Sequence, residues 1–442
     1  MVKLIGRLSS LSSVRVLVLG DFMLDAYTTG KVSRISPEAP VPVLHVQNEE
    51  KRPGGAGNVA LNIMSLGGKA LIVGRIGNDM AGKDLYNTLV KEGIDVRGLI
   101  IQEGYKTPVK NRVIANSQQL LRIDFEESVS SADDIEELIL EKLDSLIEEV
   151  DIIAVSDYAK GFLSKRIVQE VICLARKRSI SVLIDPKGND FSKYEGAMVI
   201  KPNLLEAYAA AQMPLGAPLD KVAKKIFEEI AIDTLLITRS EEGMTLYERE
   251  GLRFDFPVRS KEVKDVTGAG DTVLAMMSMG LGSGMDLKEV IQLCNVAAGI
   301  AIERVGCARV NLADVAARLF ELHAQNKVFD EEHLFALQQA LRGKKYCVLG
   351  LKSKKGLSNA SFRAIRSIAL QDPSRALIVY VRDEEPDSEF IALLSSLAEV
   401  DFIVLKGESL RSLLETIEPD RVFSISGGEV FAHEQVGAVL IT

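Results

Sequence analysis

The sequence carries no surplus of positive charge: 53 lysines and arginines stand against 62 aspartates and glutamates, for a net charge of -9. Broad neutralisation of nucleic-acid phosphates needs clustered excess cations, so neither DNA nor RNA is an expected partner. Phosphate recognition must then come from local pockets of lysine, arginine and backbone N–H groups. Cysteine is scarce as well. Cys173, Cys294, Cys307 and Cys347 show no C-x-x-C spacing and fall in segments that read as buried helix or strand, which predicts free core thiols in a reducing cytosol. The four histidines, His45, His323, His333 and His433, form no metal-binding spacing. No uncharged apolar run reaches membrane-spanning length, and the segment from Met1 to Leu8 lacks the apolar core of a signal peptide, so the chain reads as cytoplasmic, with no membrane partner.

What is present is an ordinary globular composition, 47% hydrophobic and 26% charged over 442 residues, long enough for two domains. Short apolar, β-branched runs alternate with amphipathic helical patterns: Val14 to Gly20, Ala70 to Ile76, Asp151 to Val155, Ser181 to Ile184, Ala197 to Ile200 and Thr234 to Thr238. That alternation predicts a largely parallel sheet covered by helices. Ala132 to Glu149 reads as one such helix, with acids near its start where the helix dipole favours them. Residues 27–48, punctuated by Pro37, Pro40 and Pro42, and residues 106–125, with period-two alternation, read as lid strands over a cleft. Asn311 to Gln325 reads as an amphipathic helix that closes a first domain, 1–325. A linker and connecting helix at 326–342 lead to a second α/β pattern at 343–442, in which strands from Tyr346, Ala376, Asp401 and Arg421 alternate with helices from Asn359, Ser388 and Ser409.

Asp265-Val-Thr-Gly-Ala-Gly-Asp271-Thr-Val-Leu-Ala-Met-Met is the most informative segment. Small residues precede an apolar helical run, so the N–H groups of Gly268, Ala269 and Gly270 would point outward together at a positive helix end. Such an array suits charge developing on a phosphoryl group in transfer. A carboxylate in the first turn, Asp271, could accept the proton of an attacking hydroxyl. The same residue would also serve as an ordinary helix-start acid, and the segment alone leaves both readings open. In Pro53-Gly-Gly-Ala-Gly-Asn58, the glycines Gly54, Gly55 and Gly57 allow a polyol close to the backbone, and Asn58 offers paired hydrogen bonds. Gly20-Asp21-Phe-Met-Leu-Asp25 ends a strand, where open α/β sheets bind ligands. No segment has the G-x-x-x-x-G-K-[ST] spacing.

These segments together resemble the ribokinase-type carbohydrate kinase family over residues 13–320, in its Gly-Gly-x-Gly-Asn and Asp-x-Thr-Gly-Ala-Gly-Asp elements. Within it the chain is most similar to the kinase half of bifunctional heptose 7-phosphate kinase and heptose 1-phosphate adenylyltransferases. Ser33 to Pro42, Arg52 to Asn58, Gln118 to Glu127, Ser156 to Gly161, Asp185 to Gly188 and Thr238 to Met244 carry that similarity. The resemblance implies a three-layer ribokinase-like α/β sandwich with a small β lid, followed by a smaller Rossmann-like nucleotidyltransferase-type domain. It implies ATP and Mg²⁺ as cofactors, leaves room for a monovalent cation, and suggests a homodimer through the lid strands.

Residue by residue, Asp271 matches the family's base, and Gly268, Ala269 and Gly270 its anion hole. Asn203-Leu204-Leu205-Glu206 matches an element near the ATP phosphates and the water shell of Mg²⁺, though its spacing equally satisfies a helix cap. Thr238, Gly243 and Asn295 fall on the nucleotide side. Lys187 could face a phosphate or solvent. Asp25, Gly54, Gly55, Asn58 and Arg112 match the sugar side. An acceptor bearing a distal phosphate would need cations, and Arg34, Lys51, Arg52, Lys110, Arg112 and Arg122 lie in or beside the lid segments; charge that blocks edge pairing would account for them equally.

The second half departs from the family. Its transferases carry a His-x-Gly-His element after the first strand, but here Gly350-Leu-Lys-Ser-Lys-Lys-Gly-Leu-Ser-Asn359-Ala-Ser has no histidine. A transferase-like fold without nucleotidyl transfer is the expectation, with Lys354 and Lys355 as possible replacement phosphate ligands. The implied function is phosphorylation of D-glycero-D-manno-heptose 7-phosphate at the anomeric hydroxyl. The alternatives are another sugar or nucleoside acceptor, retained adenylyltransferase activity, or a silent nucleotide- or sugar-binding regulator.

Overall fold

The computed structural model describes residues 7–8, 11, 14–115, 118–127, 129–130, 133–258, 263–304, 306–322, 327–329, 337–338, 341, 343–353, 356–372, 374–383, 385–405, 414, 417, 419–426 and 429–433. Lys354, Lys355, His323, His333 and most of the helix expected from Ser409 lie outside these. The chain divides into two compact units, Leu11–Asn311 and a second that combines Met1–Ser10 with Leu312–Thr442. The helix Leu312–Leu322, read from the sequence as the end of the first domain, groups with the second unit.

The first unit is built on a nine-stranded sheet. In chain order its strands are β1 (Arg15–Gly20), β4 (Lys69–Gly77), β5 (Asp95–Gln102), β8 (Ile152–Ser156), β9 (Ser181–Asp185), β10 (Val199–Ile200), β11 (Thr234–Thr238), β12 (Met244–Glu248) and β13 (Arg253–Phe256). In space they run β13-β12-β11-β10-β9-β8-β1-β4-β5, parallel except where β11, β12 and β13 form an antiparallel meander. Alternate residues such as Leu17, Leu19, Ile153, Val155, Val182 and Ile184 pack beneath the helices Asp133–Ile147, Lys165–Lys177 and Leu219–Glu229. The helices α1 (Ala56–Ser65), α7 (Ala269–Gly282) and α8 (Leu287–Ile302) pack together, with α1 and α7 against the sheet. Burial on both faces is why the strands read as continuous apolar runs. Strand β5 was not legible because Arg97 and Gly98 interrupt its alternation.

The order in which strands are added switches sides at β1: β4 and β5 extend to one side of it, β8 to β11 to the other. Ligands bind outside the carboxyl ends of parallel strands at such a switch point. Four strands form a separate lid, in the order β3-β2-β6-β7: β2 (Phe22–Ile35), β3 (Pro42–Gly55), β6 (Val109–Ala115) and β7 (Gln118–Phe125). β2 and β3 are longer than the expected lid segment, and the glycine-rich stretch proves to be the end of a strand: Gly55 pairs with Phe22 and leads directly into α1.

The second unit holds a six-stranded sheet, β14 (Val328–Phe329), β17 (Phe402–Leu405), β16 (Ala376–Val381), β15 (Tyr346–Leu351), β18 (Arg421–Ser426) and β19 (Glu429–His433) in spatial order. It is parallel except for β19, which runs antiparallel to β18.

Candidate active site

Asp271 lies in the first turn of α7, only 2% exposed, at the carboxyl edge of the sheet. The Asn58 amide in α1 donates from Nδ2 to its Oδ2 at 2.8 Å, and the Tyr158 hydroxyl donates to its Oδ1 at 2.8 Å. Burial raises the carboxyl to about 7, opposed by those two hydrogen bonds. A carboxyl titrating there is roughly half ionised at neutral pH, and its ionised form is basic enough to take a proton. Gly268 caps α7 with φ +76°, and a side chain there would come within 2.7 Å of Asn58 Nδ2, so glycine serves both the backbone and the neighbour. Of the three N–H groups expected to form an anion hole, that of Ala269 is taken by the Val266 carbonyl at 3.3 Å. Gly270 and Asp271 occupy the next two positions, whose N–H groups have no acceptor within a helix.

The lid supplies the second wall. Asp25 pairs with Arg112, both nearly buried, and accepts from the Cys307 thiol at 3.3 Å. Gly54 allows this, since a side chain there would lie 2.2 Å from Asp25 Oδ2. Asn58, expected from the sequence at sugar hydroxyls, donates to Asp271 and accepts at Oδ1 from the Asn62 amide at 3.3 Å. Strand register places Arg52, Asp25, Lys110 and Asp124 in one cross-strand row, and Glu50, Tyr27, Arg112 and Arg122 in the next. Both rows share the Asp25 face of the lid. The first alternates in sign. The second sets Arg112 directly opposite Arg122, each arginine paired with an acid of the first row, Asp25 and Asp124.

On the opposite side, Asn203 caps the helix Leu204–Ala210 in a full capping box. Glu206 N–H donates to Asn203 Oδ1 at 2.9 Å, and Asn203 N–H donates to Glu206 Oε2 at 3.0 Å. The cap reading of that spacing is met, and an Asn203–Thr238 bridge places the capped helix start beside Thr238. Lys187 Nζ donates to Glu206 Oε1 at 2.6 Å. Gly243, at φ +91°, ends the turn after β11, and Asn295 Nδ2 donates to the Pro257 carbonyl at 2.7 Å, next to Phe256, which packs over Gly243. Leu204 is partly buried beneath the helix, and Leu205 is exposed.

A buried carboxylate on a glycine-capped helix, a charged lid and a second capped helix start at the carboxyl ends of the strands suit phosphoryl transfer to an alcohol. Residues 14–314 match the pfkB family of carbohydrate kinases. The chain belongs to that family. It is a carbohydrate kinase that uses ATP. It is 37% identical to the bifunctional protein HldE of Trichlorobacter lovleyi, with 97% of this chain and 91% of that protein aligned. Against HldE of Geobacter sulfurreducens the identity is also 37%, over 97% and 91%. Among solved structures, phosphofructokinase-2 of Escherichia coli in complex with potassium superposes with a TM-score of 0.58 at 21% identity, over 70% of this chain and 99% of that one. Arabidopsis thaliana ribokinase with ribose and ATP gives 0.55 at 18%, over the same shares. At those identities the likeness is one of fold.

Several residues of this pfkB-family site were not singled out by sequence reasoning. Tyr158 lay inside a quoted segment without a role. Lys201, only 3% exposed, donates to Asp185 Oδ1 at 2.9 Å beside Gly270. Burial raises the Asp185 carboxyl, and Lys201 opposes that. Cys307 was expected in a helix or strand but sits in the segment after α8, where burial and Asp25 raise its thiol. Cys173, also expected buried, is exposed on its helix; all four cysteines are free. Asp21, expected at the ligand, instead accepts the backbone N–H groups of Tyr158 at 2.9 Å and Lys160 at 3.1 Å. Among the described residues no three histidine, cysteine or acidic side chains converge as a metal cage. Glu206 meets a lysine and a helix start rather than other carboxylates. This donor set fits a hard cation carried mainly by nucleotide phosphates and water. No helix among the described residues is long and apolar enough to cross a membrane.

Proposed function

We propose that this kinase transfers the γ-phosphoryl group of ATP to the anomeric hydroxyl of D-glycero-D-manno-heptose 7-phosphate, giving the 1,7-bisphosphate used in ADP-heptose and lipopolysaccharide core synthesis. The observation that carries the acceptor assignment is the Arg112–Arg122 rung on the Asp25 face of the lid. It offers two guanidinium groups to a distal phosphate while Asp25 accepts sugar hydroxyls. The similarity to HldE proteins along 97% of the chain supports the same acceptor.

In this reading Asp271 Oδ1 or Oδ2 takes the proton as the anomeric oxygen attacks phosphorus, and the bond to the β–γ bridging oxygen breaks to release ADP. The N–H groups of Gly268 and Gly270 and the Lys201 ammonium face the charge on the transferring group. Asn203, Lys187, Thr238, Gly243 and Asn295 hold the nucleotide. Glu206 would stand at the margin of a divalent cation, assigned as Mg²⁺, which supplies neutralisation of the phosphate oxygens. Turnover of purified protein with heptose 7-phosphate, other sugar phosphates, free sugars and nucleosides tests the acceptor. Preference for an unphosphorylated sugar or a nucleoside would overturn the heptose assignment, and silence with every acceptor would favour the regulator.

The second unit is read as a transferase-like fold without nucleotidyl transfer. After β15, where the family places imidazoles, Ser353 Oγ accepts from Asp387 N–H at 3.1 Å and its N–H donates to Asp383. His433 is engaged by Ser424 at 2.8 Å. Pyrophosphate release by the full chain from ATP and heptose 1-phosphate would refute this. The other lid face sets Val113 opposite Leu121 and Val109 opposite Phe125, with Leu121 57% and Phe125 60% exposed. A second copy covering that face makes a homodimer in the cytoplasm our assignment, tested by sedimentation of wild type against Leu121→Asp.

A further inference from the structure

A large share of the buried polar structure in the first unit serves the short segment after β8. Asp21, buried and with its carboxyl raised by desolvation, accepts from the N–H groups of Tyr158 and Lys160. Asp157, also buried, accepts from Ala159 N–H at 2.7 Å, from the Tyr194 hydroxyl at 2.7 Å and from Lys193. Arg75, enclosed beneath the segment, donates to the Lys160 carbonyl at 2.9 Å and stacks on Tyr105. Ala159 is held at φ +55°, a left-handed backbone that a residue with a Cβ rarely adopts. Strain of this kind persists where surrounding structure over-determines it, often at functional sites. What the apparatus fixes is one hydroxyl, that of Tyr158, on Asp271.

The two donors to Asp271 differ. Asn58 is itself tied to Asn62 and can only donate from Nδ2. Tyr158 lies with its ring beneath the Lys110 ammonium, 5.5 Å from the centroid. Burial and the Asp271 charge push its phenol well above its ordinary range, so it keeps its proton throughout the working pH range. We propose that Tyr158 is a positioning residue for phosphoryl transfer: its hydroxyl on Oδ1 favours the ionised form of the Asp271 carboxyl and aims it at the acceptor. This rests on Asp271 being the base. The charged and titratable groups facing that carboxyl are Tyr158 after β8, Asp185 at the end of β9, Lys201 after β10 and Cys307 after α8, with neutral Asn58 from α1. Asp185 and burial favour the protonated acid; Tyr158, Asn58 and Lys201 oppose them.

The test is titration of the Asp271 carboxyl carbon by NMR in the full chain labelled at aspartate Cγ, assigned by its absence in Asp271→Asn. In Tyr158→Phe, which keeps the ring over Gly55 and under Lys110, the midpoint is expected to rise by about one unit or more, the worth of a hydrogen bond to a charged group. The acidic limb of kcat/KM should move with it, so that activity lost at pH 7 returns at higher pH. An unchanged midpoint, or an equal loss of activity at every pH, overturns the proposal. Should Tyr158→Phe lose the wild-type melting transition, 3-fluorotyrosine at position 158 replaces it: this stronger donor should lower the midpoint, and no change again overturns the proposal. If Asp271→Asn retains near wild-type turnover, the base assignment itself fails; if that variant is inactive and the midpoint does not move, only the role of Tyr158 fails.

Discussion

Asn58 and Asp271, 213 residues apart in the chain, share a hydrogen bond of 2.8 Å that ties the helix after the lid to the helix that begins with Asp271 in its first turn. The lid-side helix and that carboxylate are therefore one unit. A change on either side should be felt at the other.

Asp271→Asn should lower kcat by about 10²- to 10⁴-fold, the usual share of a general base, and leave ATP affinity near wild type. Steady-state kinetics and nucleotide titration measure both. Because burial holds this carboxyl at about 7, wild-type kcat/KM should decline as pH falls below that value. Turnover within a few-fold of wild type in the variant would remove Asp271 from the mechanism.

The same carboxyl makes a prediction about stability. Its folded value, about 7, lies above the unfolded 3.8, so between these the folded chain keeps a proton that the unfolded chain has released. Stability from this group is present at low pH and lost as pH rises toward 7. Asp271→Asn should therefore gain melting temperature over wild type as pH is raised from about 4 to 8 by calorimetry. A difference independent of pH would contradict the burial argument.

Arg122→Ala tests the lid rung. Arg122 is half exposed and pairs only locally with Asp124, so stability should change by less than about 0.5 kcal/mol. KM for a phosphorylated acceptor should rise about tenfold or more, with little effect on an unphosphorylated analogue. Equal effects on both would place the phosphate elsewhere. Arg112→Ala should also destabilise the fold, because it leaves Asp25 buried without its partner.

Gly268→Ala forces a side chain to within 2.7 Å of Asn58 Nδ2 at a left-handed backbone position. The backbone alone costs about 1–2 kcal/mol. Since the displaced amide also holds Asp271, kcat should fall more than the melting temperature suggests, whereas alanine at exposed, unencumbered Gly251 should leave kcat unchanged.

Much of the fold was legible in the sequence because its signals are local. Strands β1, β11, β15 and β16 and the helix over Asn359–Gln371 stand within a residue or so of their expected places, since apolar runs and caps mark them. The meander of β12 and β13 was missed because such short strands, β12 buried and β13 half-exposed, depend on pairing for their existence. The helix Leu312–Leu322, expected at the end of the first domain, groups with the second unit; an amphipathic stripe shows that a helix is covered, not by what.

The sequence by itself determined the family, the α/β class and the helix start that ends in Asp271, because glycines, caps and periodicity act over a few residues. Only the tertiary structure decided who surrounds that carboxylate. Asn58 and Tyr158 meet at it, Lys201 lies beside it on Asp185, and Asp21 anchors the backbone of the segment after β8. The physical reason is that desolvation and hydrogen bonding to a buried charge depend on groups brought together from distant strand ends, and no local pattern records which of them will meet.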